Sequence, residues 1–134
     1  MSEERRFFDT NILLYVHSAD AAKAERALQL LRDGGVVSVQ VLNELAHVLR
    51  RKSQYAWPEV NHVLDITARL LQVEPLTLDV HRQGRALAAR YSLSVYDAMI
   101  VAAALQADCR VLYSEDMQHG FQPGPALRVE NPFL

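Results

Sequence analysis

The sequence has a single cysteine, no long apolar run and no excess of basic residues. One thiol cannot form an internal disulfide, so Cys109 favours a reducing compartment such as the cytoplasm. The most apolar stretch, residues 93–107, is too short to span a bilayer and contains Asp97, so it predicts a buried helix. The charged segment 1–6 is not followed by a long apolar run and therefore predicts no signal peptide.

The charge balance argues mildly against a tight binder of duplex DNA. The chain has 14 lysines and arginines against 16 aspartates and glutamates, which gives a net charge of -2 and no basic footprint. This balance does not exclude an enzyme whose bound metal supplies the positive charge. Histidine spacings typical of zinc sites, glycine-rich phosphate loops and the serine nucleophile motif G-x-S-x-G are absent as well.

The 134 residues, half of them hydrophobic, predict one globular domain over 1–134. Short apolar segments alternate with segments of helical character, and this order predicts an α/β fold with a parallel sheet covered on both faces. The predicted strands are 5–8, 36–37, 73–76, 110–113 and 127–130. The predicted helices are 12–16, 21–32, 39–52, 58–71, 78–91 and 95–107.

Two carboxylates stand at the ends of predicted strands. Asp9 follows its strand directly, and Asp116 follows another strand after Ser114 and Glu115. Ligands of open parallel sheets bind beyond the carboxyl ends of the strands, so both side chains are predicted at the ligand-binding rim. The alternative for each is a turn residue or a helix N-cap, roles that aspartate often fills.

Two further carboxylates lie near the starts of predicted helices. Asp97 is the only charged residue in 93–107, and Ser94-x-x-Asp97 also resembles a capping box, so a cap and a metal ligand are both open. Glu44 falls at the border of the apolar stripe of helix 39–52 and by itself is typical of a surface glutamate. From the sequence, Asp97 is expected to contribute most to metal affinity and Glu44 least.

Four carboxylates in one place predict a divalent metal. Carboxylate oxygens are the ligands that Mg²⁺ and Mn²⁺ prefer. Two such charges about 4 Å apart repel by about 4 kcal/mol at an effective dielectric near 20, and a dication reverses the sign of that interaction. The predicted metal ligands are Asp9, Glu44, Asp97 and Asp116.

Four motifs resemble, in order and spacing, those of PIN-domain nucleases, and in particular of VapC-like toxins of toxin–antitoxin pairs. The motifs are FDTNILLY at 8–15, SVQVLNE at 38–44, SVYDAMI at 94–100 and LYSEDMQHG at 112–120. The resemblance implies a three-layer α/β/α sandwich around a central, mainly parallel sheet of four to five short strands. It also implies an endoribonuclease that depends on Mg²⁺ or Mn²⁺.

The resemblance assigns roles to individual residues. The four acids become the catalytic and metal-binding residues, with Asp9 and Asp97 as the surest ligands, and Asn11 and Ser114 support the site. An RNA substrate, a neutralising protein antitoxin and a homodimer are the expected partners, and no membrane is involved.

Several alternatives stay open at this point. A metal-dependent phosphatase would favour Asp-x-Asp after the first strand, but the third position here is Asn11. A non-catalytic PIN-like module that binds metal is a further alternative. His119, the pair Arg82 and Arg85, and the basic run 50–52 are either RNA contacts or ordinary surface.

Overall fold

The computed structural model describes residues 4–134, so half of the charged segment 1–6 lies outside the described residues. Five short strands form one sheet in the order β3-β2-β1-β4-β5, and every neighbouring pair is parallel. The strands are β1 (Arg6–Phe8), β2 (Val36–Ser38), β3 (Gln72–Glu74), β4 (Val111–Tyr113) and β5 (Arg128–Glu130). The helices are α1 (Thr10–Tyr15), α2 (Ala21–Arg32), α3 (Val39–Arg51), α4 (Trp57–Leu70), α5 (Leu78–Tyr91) and α6 (Val95–Gln106).

The strand order explains why the sheet is covered on both faces. The chain moves outward from β1 through β2 to β3 and then returns past β1 to β4 and β5. Because parallel crossovers are right-handed, connections that run in opposite directions place their helices on opposite faces. The predicted α/β/α sandwich with a parallel sheet is therefore confirmed, and the sheet has five strands. That residues 1–134 form a single domain stays a prediction.

The core lies on the two central strands and on α6. Phe7 and Phe8 of β1 and Leu112 of β4 are fully buried, as the continuous apolar runs of central parallel strands require. Along α6 the buried residues run without interruption over 98–104. These elements form the buried base beneath the carboxyl ends of the strands.

The structure shifts several predicted boundaries by one or two residues. The third strand, predicted at 73–76, is Gln72–Glu74, and α4 begins at Trp57 rather than Pro58. The first helix was predicted from residue 12, after a turn, but α1 already begins at Thr10. It begins there because Asp9 is its N-cap, and the carboxylate accepts a hydrogen bond from the Thr10 N–H.

Within residues 4–134, every helix is too short or too polar to cross a membrane.

Candidate active site

The strand order reverses between β1 and β4, and Asp9 lies at this point. Its backbone N–H donates to the Tyr113 carbonyl over 3.0 Å, which continues the pairing of the two strands to their ends. The Ser114 hydroxyl, directly after β4, donates to Asp9 Oδ2 over 2.7 Å, and the Thr10 N–H donates to Oδ1 over 2.7 Å. The switch point of an open parallel sheet is where ligands bind, so Asp9 is held at the expected place.

Asp9 is the most deeply buried of the four acids, with 3 % of its surface exposed. Burial raises its pKa to about 7, although its hydrogen bonds with Ser114 and Thr10 oppose this rise. The negative charges of Asp97 and Glu44 add to the rise. The charged form of Asp9 is therefore costly, and a nearby cation would stabilise it.

Ser114 joins two of the acids through one fully buried hydroxyl. While this group donates to Asp9, it accepts hydrogen bonds from the N–H groups of Asp116 and Met117, both over 3.2 Å. One hydroxyl has one donor and two acceptor positions, so all of its capacity is used. The predicted supporting role of Ser114 thus has a specific geometry, in which it orients Asp9 and shapes the backbone that presents Asp116.

Asn11 is the second predicted supporting residue, and it bridges α1 to the segment after β4. Its Nδ2 donates to Asp116 Oδ2 over 3.0 Å, and its Oδ1 accepts from the Glu115 N–H over 3.3 Å. The Glu115 side chain turns away toward Lys23, whose Nζ lies 2.9 Å from Glu115 Oε2, and toward the Tyr15 hydroxyl. Of the two neighbouring acids, only Asp116 therefore reaches the site.

Glu44 is partly buried, not the ordinary surface residue that its sequence position suggests. Helix α3 begins after Ser38, whose side chain caps it, and this places Glu44 in the second turn, above the sheet rim. The Thr10 hydroxyl donates to Glu44 Oε2 over 2.8 Å. Burial raises the pKa of Glu44, and the charges of Asp97 and Asp116 raise it further.

Asp97 lies in the first turn of α6, where the Ser94 hydroxyl accepts a hydrogen bond from the Asp97 N–H over 3.1 Å. The sequence suggested that nearly every face of this helix is buried, but Val95 and Tyr96 are 52 % and 64 % exposed. Asp97 is thus partly buried, at the border between core and solvent. Burial raises its pKa, and the charge of Asp116 adds to the rise.

The four acids line one open cavity of about 650 Å³. Its other lining residues are Thr10, Asn11, Leu14, Gln40, Asn43, His47, Val48, Lys52 and Tyr96.

In residues 4–134, no three Asp, Glu, His or Cys side chains lie close enough together to enclose a metal ion. The donor chemistry nevertheless fits Mg²⁺ or Mn²⁺, because all four acids supply carboxylate oxygens. Burial is the main cause of the raised pKa of Asp9, Glu44 and Asp97, and the charge of at least one other acid of the cavity adds to each rise.

Thr10, His47 and Lys52 line this cavity but were not among the predicted site residues, although Lys52 belongs to the basic run 50–52 that was considered as an RNA contact. Thr10 lies in the turn that the sequence predicts before the first helix, yet its hydroxyl donates to Glu44. His47 and Lys52 line the cavity with the acids, although nothing in their spacing alone distinguishes them from other residues of α3. His119 does not line the cavity. Its Nδ1 accepts a hydrogen bond from the Asn131 N–H over 3.0 Å, which ties two loops together.

The family model described as PIN domain matches residues 6–120, which is most of the chain and includes all four acids. This chain belongs to the PIN domain family. Among curated protein sequences, none is significantly similar to it.

Solved structures of similar fold come from several bacteria. A sarcin–ricin loop cleaving toxin of Mycobacterium tuberculosis, VapC20, has a TM-score of 0.70 and 22 % identity, with 83 % of this PIN domain chain and 89 % of that chain covered. A toxin–antitoxin complex from Klebsiella pneumoniae has a TM-score of 0.72 and 20 % identity, with 95 % and 97 % covered. DNA-bound VapBC from Salmonella typhimurium has a TM-score of 0.70 and 18 % identity, with 97 % and 99 % covered. At these identities the likeness shows that the PIN fold is shared.

Proposed function

We propose that this protein is a metal-dependent endoribonuclease that hydrolyses RNA phosphodiester bonds and is the toxin of a toxin–antitoxin pair. The observation that carries the proposal is the lining of one open cavity by Asp9, Glu44, Asp97 and Asp116 at the switch point of the sheet. Membership of the PIN domain family and the likeness to VapC toxins support it.

In this proposal, Asp9 and Asp97 hold Mg²⁺ or Mn²⁺, with Glu44 and Asp116 beside them. A metal bound there would offset the charge of the scissile phosphate and lower the pKa of a water molecule. The chain's own contribution is orientation. Ser114 and the Thr10 N–H fix the buried Asp9 carboxylate, while the Thr10 hydroxyl and Asn11 hold Glu44 and Asp116 in place beside it.

The phosphatase alternative loses support from the position of Asn11. The residue that would be the second aspartate of an Asp-x-Asp motif is an amide, and both of its polar atoms are used to hold the segment 115–116. The Asn11 side chain has no acidic proton that it could give to a leaving group. The nuclease is therefore the function that the site supports best.

The direct test is cleavage of single-stranded RNA by the purified protein. We expect cleavage with Mg²⁺ or Mn²⁺, none after the metal is removed with a chelator, and a higher melting temperature when Mn²⁺ is added. Stabilisation by Mn²⁺ without cleavage of a broad set of RNAs would instead indicate a non-catalytic module. Phosphate release from small esters, with RNA left intact, would indicate a phosphatase.

We also propose a protein antitoxin and a homodimer as partners, in a cytoplasm that suits the single cysteine. An apolar groove of about 390 Å³ between α2 and α4, with Leu28 and Leu70 exposed at its edges, would bind an apolar segment of the antitoxin. A separate exposed apolar patch, which includes Leu78 and Tyr96, adjoins the acidic cavity and would meet a second copy.

One pair of variants separates these two surfaces, and each variant is the control for the other. Leu70→Glu is expected to weaken binding of a protein encoded by a neighbouring small gene, measured by co-purification, and to leave the oligomeric state unchanged. Leu78→Glu is expected to convert a dimer to a monomer in sedimentation experiments and to leave that binding intact. Equal effects of the two variants on both measurements would contradict the assignment.

A further inference from the structure

Three consecutive basic residues at the end of α3, Arg50, Arg51 and Lys52, look equivalent in the sequence, but they have different surroundings in the structure. The Arg50 guanidinium donates to the Tyr55 carbonyl over 3.0 Å and lies 5.0 Å from the centre of the Trp57 ring. Arg51 is exposed and does not line the acidic cavity. Lys52 does line that cavity. A favourable interaction with the helix dipole applies to all three residues and does not explain this difference.

Lys52 belongs to the stripe of α3 that faces the cavity. Gln40, Glu44, Val48 and Lys52 follow one another at intervals of four residues, so their side chains share one side of the helix, and all four line the cavity. At about 1.5 Å per residue, Lys52 lies about 12 Å beyond Glu44 along the axis. His47 also lines the cavity, about 4.5 Å beyond Glu44 by the same rise.

The contacts of Lys52 do not indicate a role in neutralising the acids. Among the residues within 4–134 that line the cavity, Lys52 is the only lysine or arginine. No ion pair between residues of 4–134 involves Lys52. A lysine that neutralised a carboxylate would be in contact with it, as Lys23 is with the partly exposed Glu115. A cation at the rim of an acidic cavity would instead attract the polyanion whose cleavage occurs at the acids.

We propose that Lys52, with His47 five residues nearer the acids, binds a backbone phosphate of single-stranded RNA other than the scissile one, so that the strand lies along α3. This inference rests on the proposed nuclease function. It adds the direction of the substrate, which runs from the four carboxylates toward the carboxyl end of α3. Because the contact is with the backbone, it affects affinity for RNA without selecting a base sequence.

Steady-state cleavage of RNA by Lys52→Gln and by its neighbour Arg51→Gln provides a matched test. We expect Lys52→Gln to raise KM roughly three- to fivefold with little change in kcat, because one exposed phosphate contact is lost. The slope of log(kcat/KM) against log salt concentration should shrink by about 0.7, the value for one phosphate contact on a single strand. Arg51→Gln should change neither quantity, and Lys52→Arg should restore both.

RNA substrates with single uncharged linkages identify the phosphate that Lys52 binds. Once the cleavage position of an RNA is mapped, the linkages on its 5′ and 3′ sides are replaced in turn by uncharged methylphosphonates. On one side the replacement should raise the KM of the wild type and leave that of Lys52→Gln unaffected. Equal KM values and salt slopes for Lys52→Gln and Arg51→Gln would overturn the inference while the nuclease function stands. A wild type that cleaves no RNA overturns both.

Discussion

Asp9→Asn is expected to lower the rate of RNA cleavage by more than roughly 100-fold, since changes in residues that only support metal ligands already cost about 10- to 100-fold. Asp9 is the most buried acid of the cavity, and its charge is held where water cannot compensate it. The measurement is the initial rate at saturating Mg²⁺. Asp79→Asn, which removes an exposed carboxylate from the first turn of α5, is the matched control and should keep the wild-type rate.

The variant Asp97→Asn tests whether Asp9→Asn loses activity only because it fails to fold. Asp97 is only partly buried, so its replacement should leave the fold intact, which circular dichroism can verify. We expect its cleavage rate to fall by a similar factor, and that of Glu44→Gln by less. An Asp9→Asn protein that is folded and cleaves within a few-fold of the wild type would show that the reaction centre lies elsewhere.

Ser114→Ala is expected to lower both stability and cleavage, because one buried hydroxyl serves three partners. Its loss leaves the N–H groups of Asp116 and Met117 without their acceptor and Asp9 Oδ2 without its donor. An unsatisfied buried group costs about 1–3 kcal/mol, so we expect the free energy of unfolding to fall by about 2–4 kcal/mol. Urea unfolding of the metal-free protein measures it.

The control for Ser114→Ala is a serine whose hydroxyl also binds a backbone N–H but is exposed. Ser94→Ala removes the cap of α6 and is expected to cost about 1 kcal/mol. Cleavage should fall further in Ser114→Ala than in Ser94→Ala when both are measured below their unfolding transitions. Equal stability of the two variants would show that the hydrogen bonds of Ser114 are replaced by water.

Much of the fold was predictable because its signals are local. Short apolar runs separated by capped helices indicate parallel strands, and residues that directly follow such strands, such as Asp9, lie at one rim. The relative contributions of the four acids to metal affinity were not predictable in this way. The apolar composition of 93–107 suggested a deeply buried Asp97, but the helix emerges at Val95 and Tyr96, and the deepest acid is Asp9. We therefore expect the largest loss of metal affinity from Asp9→Asn, not from Asp97→Asn.

The remaining features depend on contacts between distant parts of the chain. Thr10 binds Glu44 across 34 residues, and Ser114 binds Asp9 across 105. Helical periodicity fixes which residues of α3 share a side, but the packing of α3 against its neighbours decides which side faces the cavity. For this reason the sequence alone could not show that one residue of the basic run 50–52 lines the cavity and that the other two do not.

The placement of β4 beside β1 has a consequence for the timing of activity during synthesis. The first acid is made at residue 9, but the hydroxyl that orients it and the fourth acid follow β4, at Ser114 and Asp116. A ribosome that has not yet released this last part of the chain carries a polypeptide with an incomplete site. A protein that cuts RNA would thus be unable to attack its own message until residue 116 has emerged and the central strand has gained its second neighbour.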